Sequence, residues 1–436
     1  MTKNICKRLI IILILFVGLS GAAQELLTMN QAVEIALANN FDIRIAKNNL
    51  TIARQQTRAG NALLLPDLTA GLSTQNNINN SEQELYSGDI RQGSNVKSSA
   101  VNAGIQLQWT IFDGFNMFIT REKLAELENA GEIYARLMVE DVVYNTVMLY
   151  YAIALEQKKL EVIRQSLEIS LERKMIAEQK QKIGSGSGLE LLQATVDLNT
   201  DSSALLQQEY NLLNARTMLN ELLAREPDTK FVVDENIQSS NDLTYDKLTT
   251  LVQEQNPEIM LARSNLAVER LALKQQRSGL YPSLNINSGY NYQRNTSEIG
   301  IIRYGVNNGV YYGLTASWTI FNGFARNRDL QIARLKISNS ELELEQTGHR
   351  IRSELYRLYA EYLKGAELLK AESKNLDVAE ENLKVALEKM NLGTISSLEL
   401  REAQRNRINA EFRLIAAEYE TRMAEIKLRQ LCSMPI

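Results

Sequence analysis

The chain has 436 residues, a formal net charge of −4 and only five prolines. That length exceeds what one ordinary core serves, which implies several domains or one elongated architecture. The mild acidity excludes the basic footprint of a nucleic-acid binder, and the one histidine, His349, with no cysteine or clustered aspartate beside it in sequence, supports neither a histidine triad nor a zinc site; no cofactor and no catalysis are expected.

Residues 1–23 read as a secretory signal peptide: Lys3, Lys7 and Arg8 precede an apolar run from Leu9 to Val17, and Gly21-Ala22-Ala23 offers a small-residue cleavage site. The run is shorter than the ~20 residues a membrane-spanning helix needs. Cleavage would leave a formal charge of −7 and one cysteine, Cys432, so no internal disulfide and no N-terminal lipid attachment are expected.

After the signal the chain repeats itself. WTIFDGF at 109–115 returns as WTIFNGF at 318–324, and Gly184 with Leu189-Glu190-Leu191 returns as Gly393 with Leu398-Glu399-Leu400, each pair 209 residues apart. Upstream, Leu64-Leu65-Pro66 answers to Leu280-Tyr281-Pro282, and Leu27-Thr28 with Asn40 answers to Leu243-Thr244 with Asn256, each pair 216 apart. Collinear matches of this kind mark a tandem duplication, residues 24–233 and 234–436, with a seven-residue length difference placed between Pro66 and Trp109.

Each repeat predicts a helix, a strand pair, a long helix and a return helix. In the first, a helix over 30–61 precedes strands within 66–113, whose odd positions Val101, Ala103, Ile105, Leu107, Trp109 and Ile111 are apolar against polar even ones. A proline-free long helix over 115–183 and a return helix over 189–225 follow, the latter with leucines at 191, 198, 205, 212 and 219 in a seven-residue step. In the second, a helical span over 246–279, within which Asn256 is a candidate N-cap with Pro257 in the first helical position, leads into strands within 282–321, a long helix over 325–391 with a seam of Leu369, Leu376, Leu383 and Met390, and a return helix over 397–432. The polar stretches 75–98 and 293–308 are expected as exposed loops between strands. Residues 115–183 as helix would measure ~104 Å at about 1.5 Å per residue, and two shorter helices stacked in line would match that length.

Four strands with one apolar face are too few to close a membrane barrel, since the smallest use about 8. An open sheet would leave edges that lipid cannot satisfy. Three copies would supply twelve strands and as many helical columns. The fold expected is therefore mainly α with a transmembrane β portion: long antiparallel coiled-coil helices in a trimeric α-barrel, topped by a 12-strand β-barrel with four strands from each chain. Trp109, Phe112, Gly114, Phe115 and their equivalents Trp318, Phe321, Gly323, Phe324 would mark the strand-to-helix junctions at the membrane interface.

These features together resemble the TolC family of outer membrane efflux proteins over essentially the whole mature chain: the two-fold repeat, the helix-proline-strand junctions at Pro66 and Pro282, the WTIF(D/N)GF junctions, and the turns at Ile183-Gly184-Ser185 and Leu392 to Leu400. The resemblance implies a homotrimer in the outer membrane with a periplasmic extension, serving as the exit duct of a tripartite efflux or type I secretion system. Implied partners are outer membrane lipid, a periplasmic adaptor (membrane fusion) protein and an inner-membrane pump of RND, ABC or MFS type. Gly184, Ser185, Gly186 and Gly393, Thr394, Ser396 would form the periplasmic tip turns that meet the adaptor. Glu399 and Glu402 match two acidic positions that ring the closed entrance in relatives; Glu190 is the first-repeat counterpart of Glu399, whereas Gln193 stands at the equivalent of Glu402. Carboxylates gathered on one axis would favour cations and raise one another's pKa. Ile395 stands where some relatives carry a basic tip residue, and the first tip reads Gly-Ser-Gly-Ser-Gly.

The alternative is a structural coiled-coil envelope protein, such as an adhesin-like stalk with a small β anchor. A stalk predicts one terminal anchor, whereas here strands fall in the middle of each repeat. Gly184, Gly186 and Gly188 do not make a phosphate loop, because no Gly-Lys-Ser/Thr follows and no strand precedes them.

Overall fold

The computed structural model of the chain describes residues 25–58, 64–237 and 243–435, and the signal peptide expected at 1–23 lies outside them. In chain order the elements are β1 Glu25–Leu27, α1 Met29–Asn39, α2 Phe41–Gln56, β2 Asp67–Glu84, β3 Ile90–Asp113, α3 Asn116–Lys182, α4 Gly188–Leu222, β4 Phe231–Val233, α5 Tyr245–Gln255, α6 Pro257–Ser278, β5 Ser283–Ser297, β6 Tyr304–Ser317, α7 Ala325–Asn391 and α8 Ser397–Leu431. Helices α3 and α7 each run 67 residues and α4 and α8 each 35, so the two repeats agree in length as well as in order.

The described residues form two compact units, one drawn from within 25–47, 134–259 and 347–435, the other from within 48–133 and 260–346. The first is helical around a small parallel β pair. Glu25 to Leu27 pair in register with Phe231 to Val233, and Leu27 and Phe231 are fully buried against Val147, Ile153, Leu219 and Ile426. The sequence marks Phe231-Val232-Val233 as a non-helical link. What it does not reveal is the partner strand, because three residues carry too little alternation to read.

The second unit holds a four-stranded antiparallel sheet in the order β2-β3-β5-β6. Register places Ala70, Ile105, Tyr290 and Val310 in one row across all four strands, and Leu68, Leu107, Ser288 and Tyr312 in another. Residues directly opposed across a ladder point to the same face, so the odd-numbered apolar set of β3 belongs to one continuous apolar face. That face is open: Leu72, Ile105, Val310 and Leu314 are all more than half exposed. Strands β2 and β6 are the sheet's two edges.

Three expectations need correction. The stretches expected as loops at 75–98 and 293–308 are mostly strand: β2 continues to Glu84 and β3 begins at Ile90, leaving the turn from Leu85 to Asp89, and β5 continues to Ser297 and β6 begins at Tyr304, leaving residues 298–303. Polar Asn, Ser and Gln were read as loop composition, but ladder bonds to neighbouring strands outweigh that bias. The single helix expected over 30–61 is two, broken at Asn40, whereas the span 246–279 divides at Asn256-Pro257, where the sequence offers an N-cap followed by proline in the first helical position. Both asparagines cap the helix that follows: Asn40 Oδ1 accepts from the amides of Asp42 and Ile43, and Asn256 Oδ1 from those of Glu258 and Ile259. The second strand pair ends at Ser317 rather than 321, so Trp109 is in a strand and Trp318 is not. β3 is internal and pairs with β5 as far as Asp113, whereas β6 is an edge with no ladder to extend it.

Candidate functional site: the junction motifs and the helical turns

WTIF(D/N)GF makes the same junction twice. Trp109 Nε1 donates to the carbonyl of Leu64 at 3.2 Å, and Trp318 Nε1 to that of Leu280 at 3.1 Å, so each indole ties the motif to the chain just ahead of Pro66 or Pro282. Asp113 accepts from the amide of Met117 and Asn322 from that of Arg326, which explains why either Asp or Asn serves: each is a cap for a long helix. Gly114 and Phe115 both have φ of 69°, and Gly323 and Phe324 have φ of 65° and 62°. Two consecutive left-handed residues turn the chain sharply from strand into helix. Phe112 meets Phe115 edge-on at 5.3 Å, and Phe321 meets Phe324 at 5.4 Å, bracing the turn from outside.

The turns at the other ends of the long helices are likewise equivalent. Ser185 N bonds the carbonyl of Lys180 and Thr394 N that of Lys389, while Gly184 and Gly393 take positive φ of 76° and 72°, a glycine C-terminal cap in each case. Gly186 also has a steric reason, since a Cβ there would lie 2.8 Å from the Lys180 Cβ. Ser187 and Ser396 then cap the return helices. Glu399 returns its carboxylate to the Ser396 amide at 2.7 Å, completing a capping box. That backbone hydrogen bond, with the Ser396 hydroxyl, holds the Glu399 carboxyl below its usual range. Glu402 is exposed and Glu190 half-buried, and neither carboxylate is hydrogen-bonded or ion-paired among the described residues.

Beneath the turns lies a polar cluster that sequence reasoning missed. Arg401 on α8 binds Asp201 on α4 through two parallel contacts of 2.7 Å and approaches Asp197 at 3.5 Å. Arg173 on α3 donates to Asp197 at 3.1 Å and to the carbonyl and hydroxyl of Ser397. Ser170 donates to Asp201 at 2.5 Å, and Gln404 reaches back to Ser166 and Ser170. The cluster therefore joins three helices. Its charges are out of water, with side chains 3 % exposed for Arg173, 12 % for Arg401 and 11 % for Asp201. Burial lowers the Arg173 pKa, whereas the hydrogen bonds that Arg401 donates to Asp201 raise its own. A signal was present in the sequence: Ala194, Asp201, Gln208 and Ala215 follow their own seven-residue step beside the leucine seam, and a charged residue in a packed heptad position needs a partner.

Comparison with known proteins agrees with this architecture. The family model described as outer membrane efflux protein matches residues 32–225 and 248–433. Among curated relatives, Protein CyaE of Bordetella pertussis is 23% identical over 77% of this chain and 69% of its own length, and the proteases secretion protein PrtF of Dickeya chrysanthemi is 20% identical over 97% and 92%. Among solved structures, the CmeC outer membrane channel of Campylobacter jejuni superposes with a TM-score of 0.80 at 16% identity, covering 93% of this chain and 85% of that one. The open state of the MtrE outer membrane channel of Neisseria gonorrhoeae gives 0.72 at 16% identity, covering 93% and 89%. With both halves matched by the family model and the fold shared with solved channels, the chain belongs to the outer membrane efflux protein family, whose members reside in the outer membrane.

Proposed function

We propose that three copies of this chain form one exit duct, carrying small molecules or polypeptides from a pump to the cell exterior. The observation that carries this reading is the open sheet: four strands, one apolar face and two edges, β2 and β6, unpaired among the described residues. Lipid can solvate the face but not the edges, and edge-to-edge pairing of three copies closes twelve strands. The relative named for secretion of proteases and the solved structures described as outer membrane channels support the duct in general terms and leave efflux and type I secretion both open. The turns at Gly184 to Gly186 and Gly393 to Ser396 would meet a periplasmic adaptor, and through it an inner-membrane pump of RND, ABC or MFS type. Glu190, Glu399 and Glu402, brought together from three chains, would narrow the entrance and attract cations. The Arg401–Asp201 pair would hold α4 and α8 of each chain together while the entrance is shut.

The test is the mass and conductance of the full chain purified in detergent. A particle of three chains that conducts cations in a planar bilayer is expected, and a monomer, or a trimer without conductance, overturns the proposal. Replacing both Glu399 and Glu402 with Ala should raise the conductance or relieve block by multivalent cations; unchanged conductance and block would remove these residues from the entrance.

A further inference from the structure

The sheet face that carries Ile105, Tyr290 and Val310 changes character toward the end where the strands turn back. From Leu107 to Ala103 on β3, and across the residues opposed to them on the other three strands, it holds no charged side chain. The next outward position, Val101, is opposed to Arg294, and farther along Lys97 is opposed to Ile78. Side chains alternate along a strand and opposed residues share a face, so Arg294 and Lys97 continue the apolar face with two cations. Val101 lies eight residues from Trp109 along β3, and Lys97 twelve. At about 3.4 Å per residue and a strand tilt of about 40°, those levels stand ~20 and ~30 Å from the tryptophan, at and above the limit of an apolar band about 25 Å tall. That is headgroup height in the leaflet on the side of the turns.

At this level the outward face has a hollow. A cavity of about 550 Å³ is lined by Asn76, Lys97, Ser99, Thr296, Arg303 and Tyr304 among others. That is more than ten times the ~30 Å³ that one water occupies in the liquid, room for a headgroup rather than a single ion. The Arg294 guanidinium lies 5.4 Å from the centroid of the Tyr304 ring, a cation–π contact that holds it beside the opening. Lys97, Arg294 and Arg303 are all exposed, and none makes an ion pair among the described residues. Glu298 is the one acid of the lining, and its carboxylate accepts from the backbone amide of Lys97 at 2.9 Å. Three cations therefore stand around one carboxylate, with the hydroxyls of Ser99 and Thr296 and the amide of Asn76 among them.

We propose that this hollow docks the phosphorylated sugar headgroup of a glycolipid in the outer leaflet, with its phosphate on Lys97, Arg294 and Arg303, its sugar hydroxyls on Asn76, Ser99 and Thr296, and its acyl chains along the uncharged rows below. Phosphate is the anion that arginine and lysine hold through charge-assisted hydrogen bonds, and basic pockets at headgroup height are where proteins take anionic lipids. The neutral donors among the cations favour a sugar over a bare phosphate. The site rests on the reading of the sheet as the membrane-crossing part of the duct, and it does not depend on how many chains assemble, because every residue named belongs to one chain.

The experiment is native mass spectrometry of the full detergent-solubilised protein titrated with bis-phosphorylated lipid A, with phosphatidylglycerol as an anionic lipid that lacks the sugar and inorganic phosphate as a competitor. Saturable binding of one lipid A per chain is expected, with phosphatidylglycerol roughly tenfold weaker and no displacement by an equal concentration of inorganic phosphate. Replacing Lys97, Arg294 and Arg303 together with Gln should weaken lipid A by roughly tenfold or more, the span of a charge-assisted hydrogen bond. Wild-type conductance of that variant in planar bilayers establishes that it is folded; if it fails to assemble, Lys97→Gln alone, expected to weaken binding several-fold, decides. A wild-type protein that conducts but binds no lipid A overturns this site and leaves the duct standing. Equal affinity for phosphatidylglycerol, displacement by inorganic phosphate, or affinity unchanged in the deciding variant likewise overturns the proposal.

Discussion

The side-chain amide of Asn256 donates to the carbonyl of Leu431 at 3.0 Å, the last residue of α8. Asn40 does the same for Leu222, the last residue of α4, also at 3.0 Å. Each asparagine therefore caps one helix with its oxygen and grips the open end of another with its nitrogen. Asn256→Ala should lose both, about 1 kcal/mol for the cap and about 1–3 kcal/mol for the carbonyl left unpaired. Asn256→Ser keeps a capping oxygen but is too short to reach Leu431, so its loss should be smaller. Denaturant midpoints followed by helix dichroism check this, and equal losses for Ser and Ala would show that the grip on α8 contributes nothing.

The two junction glycines look alike in sequence and differ in surroundings. Both need positive φ, but a Cβ on Gly114 would overlap the carbonyl oxygen of Ser278 and lie 2.9 Å from the Tyr281 Cβ, whereas nothing stands within 4 Å of one on Gly323. Gly323→Ala should cost only the left-handed strain, about 1–2 kcal/mol. Gly114→Ala adds the backbone overlap and should sharply reduce the folded protein recovered in the outer membrane. Equal recovery of the two variants would refute the distinction.

That asymmetry shows where the sequence stops informing. The duplication, the long helices and the apolar strand face were legible because each rests on a periodic pattern many residues long, and α7 was placed at its observed bounds, 325–391. The break at Asn40 was not read, because capping is a local hydrogen bond that leaves the apolar period intact on either side. The strand continuing through Ser98 and Ser99 was missed for the opposite reason: its polarity suits water, and only the facing residues Asn77, Asn76, Ser297 and Thr296 reveal a ladder. The Arg401–Asp201 pair joins residues 200 apart in sequence, and no local pattern specifies that meeting.

Removing one member of that pair should be costly, because it strands a buried charge. Arg401→Ala should destabilise the helical unit by about 3–5 kcal/mol, whereas the double replacement Arg401→Met with Asp201→Leu should recover most of the loss, since apolar residues of similar volume can substitute for a buried ion pair. If the pair also holds the entrance shut, both variants should raise conductance in planar bilayers although only one is unstable. Wild-type conductance in the stable double variant would leave the pair a purely structural role.

Asp141 gives a prediction whose sign is set by its surroundings. Burial, then the nearby carboxylates of Glu258 and Glu140, hold its carboxyl above the usual range, against the opposing hydrogen bond from Gln430. The folded chain thus holds this proton more tightly than the unfolded chain, whose aspartates titrate near ~3.9. The contribution of Asp141 to stability should be greatest below that value and should fall as pH climbs through the window up to the raised pKa, above which the loss is complete. Asp141→Asn cannot ionise, and its side-chain carbonyl still accepts from Gln430, so the variant should match wild type in acid and exceed it at neutral pH. Because Glu140, Glu258, Glu354, Lys427 and Arg350 are present in both proteins, their own titration largely cancels in the difference. Denaturant midpoints of the two proteins measured side by side from about pH 3.5 to 8 give the comparison, and a variant less stable than wild type at neutral pH would mean that the ionised Asp141 is stabilised by its site rather than penalised.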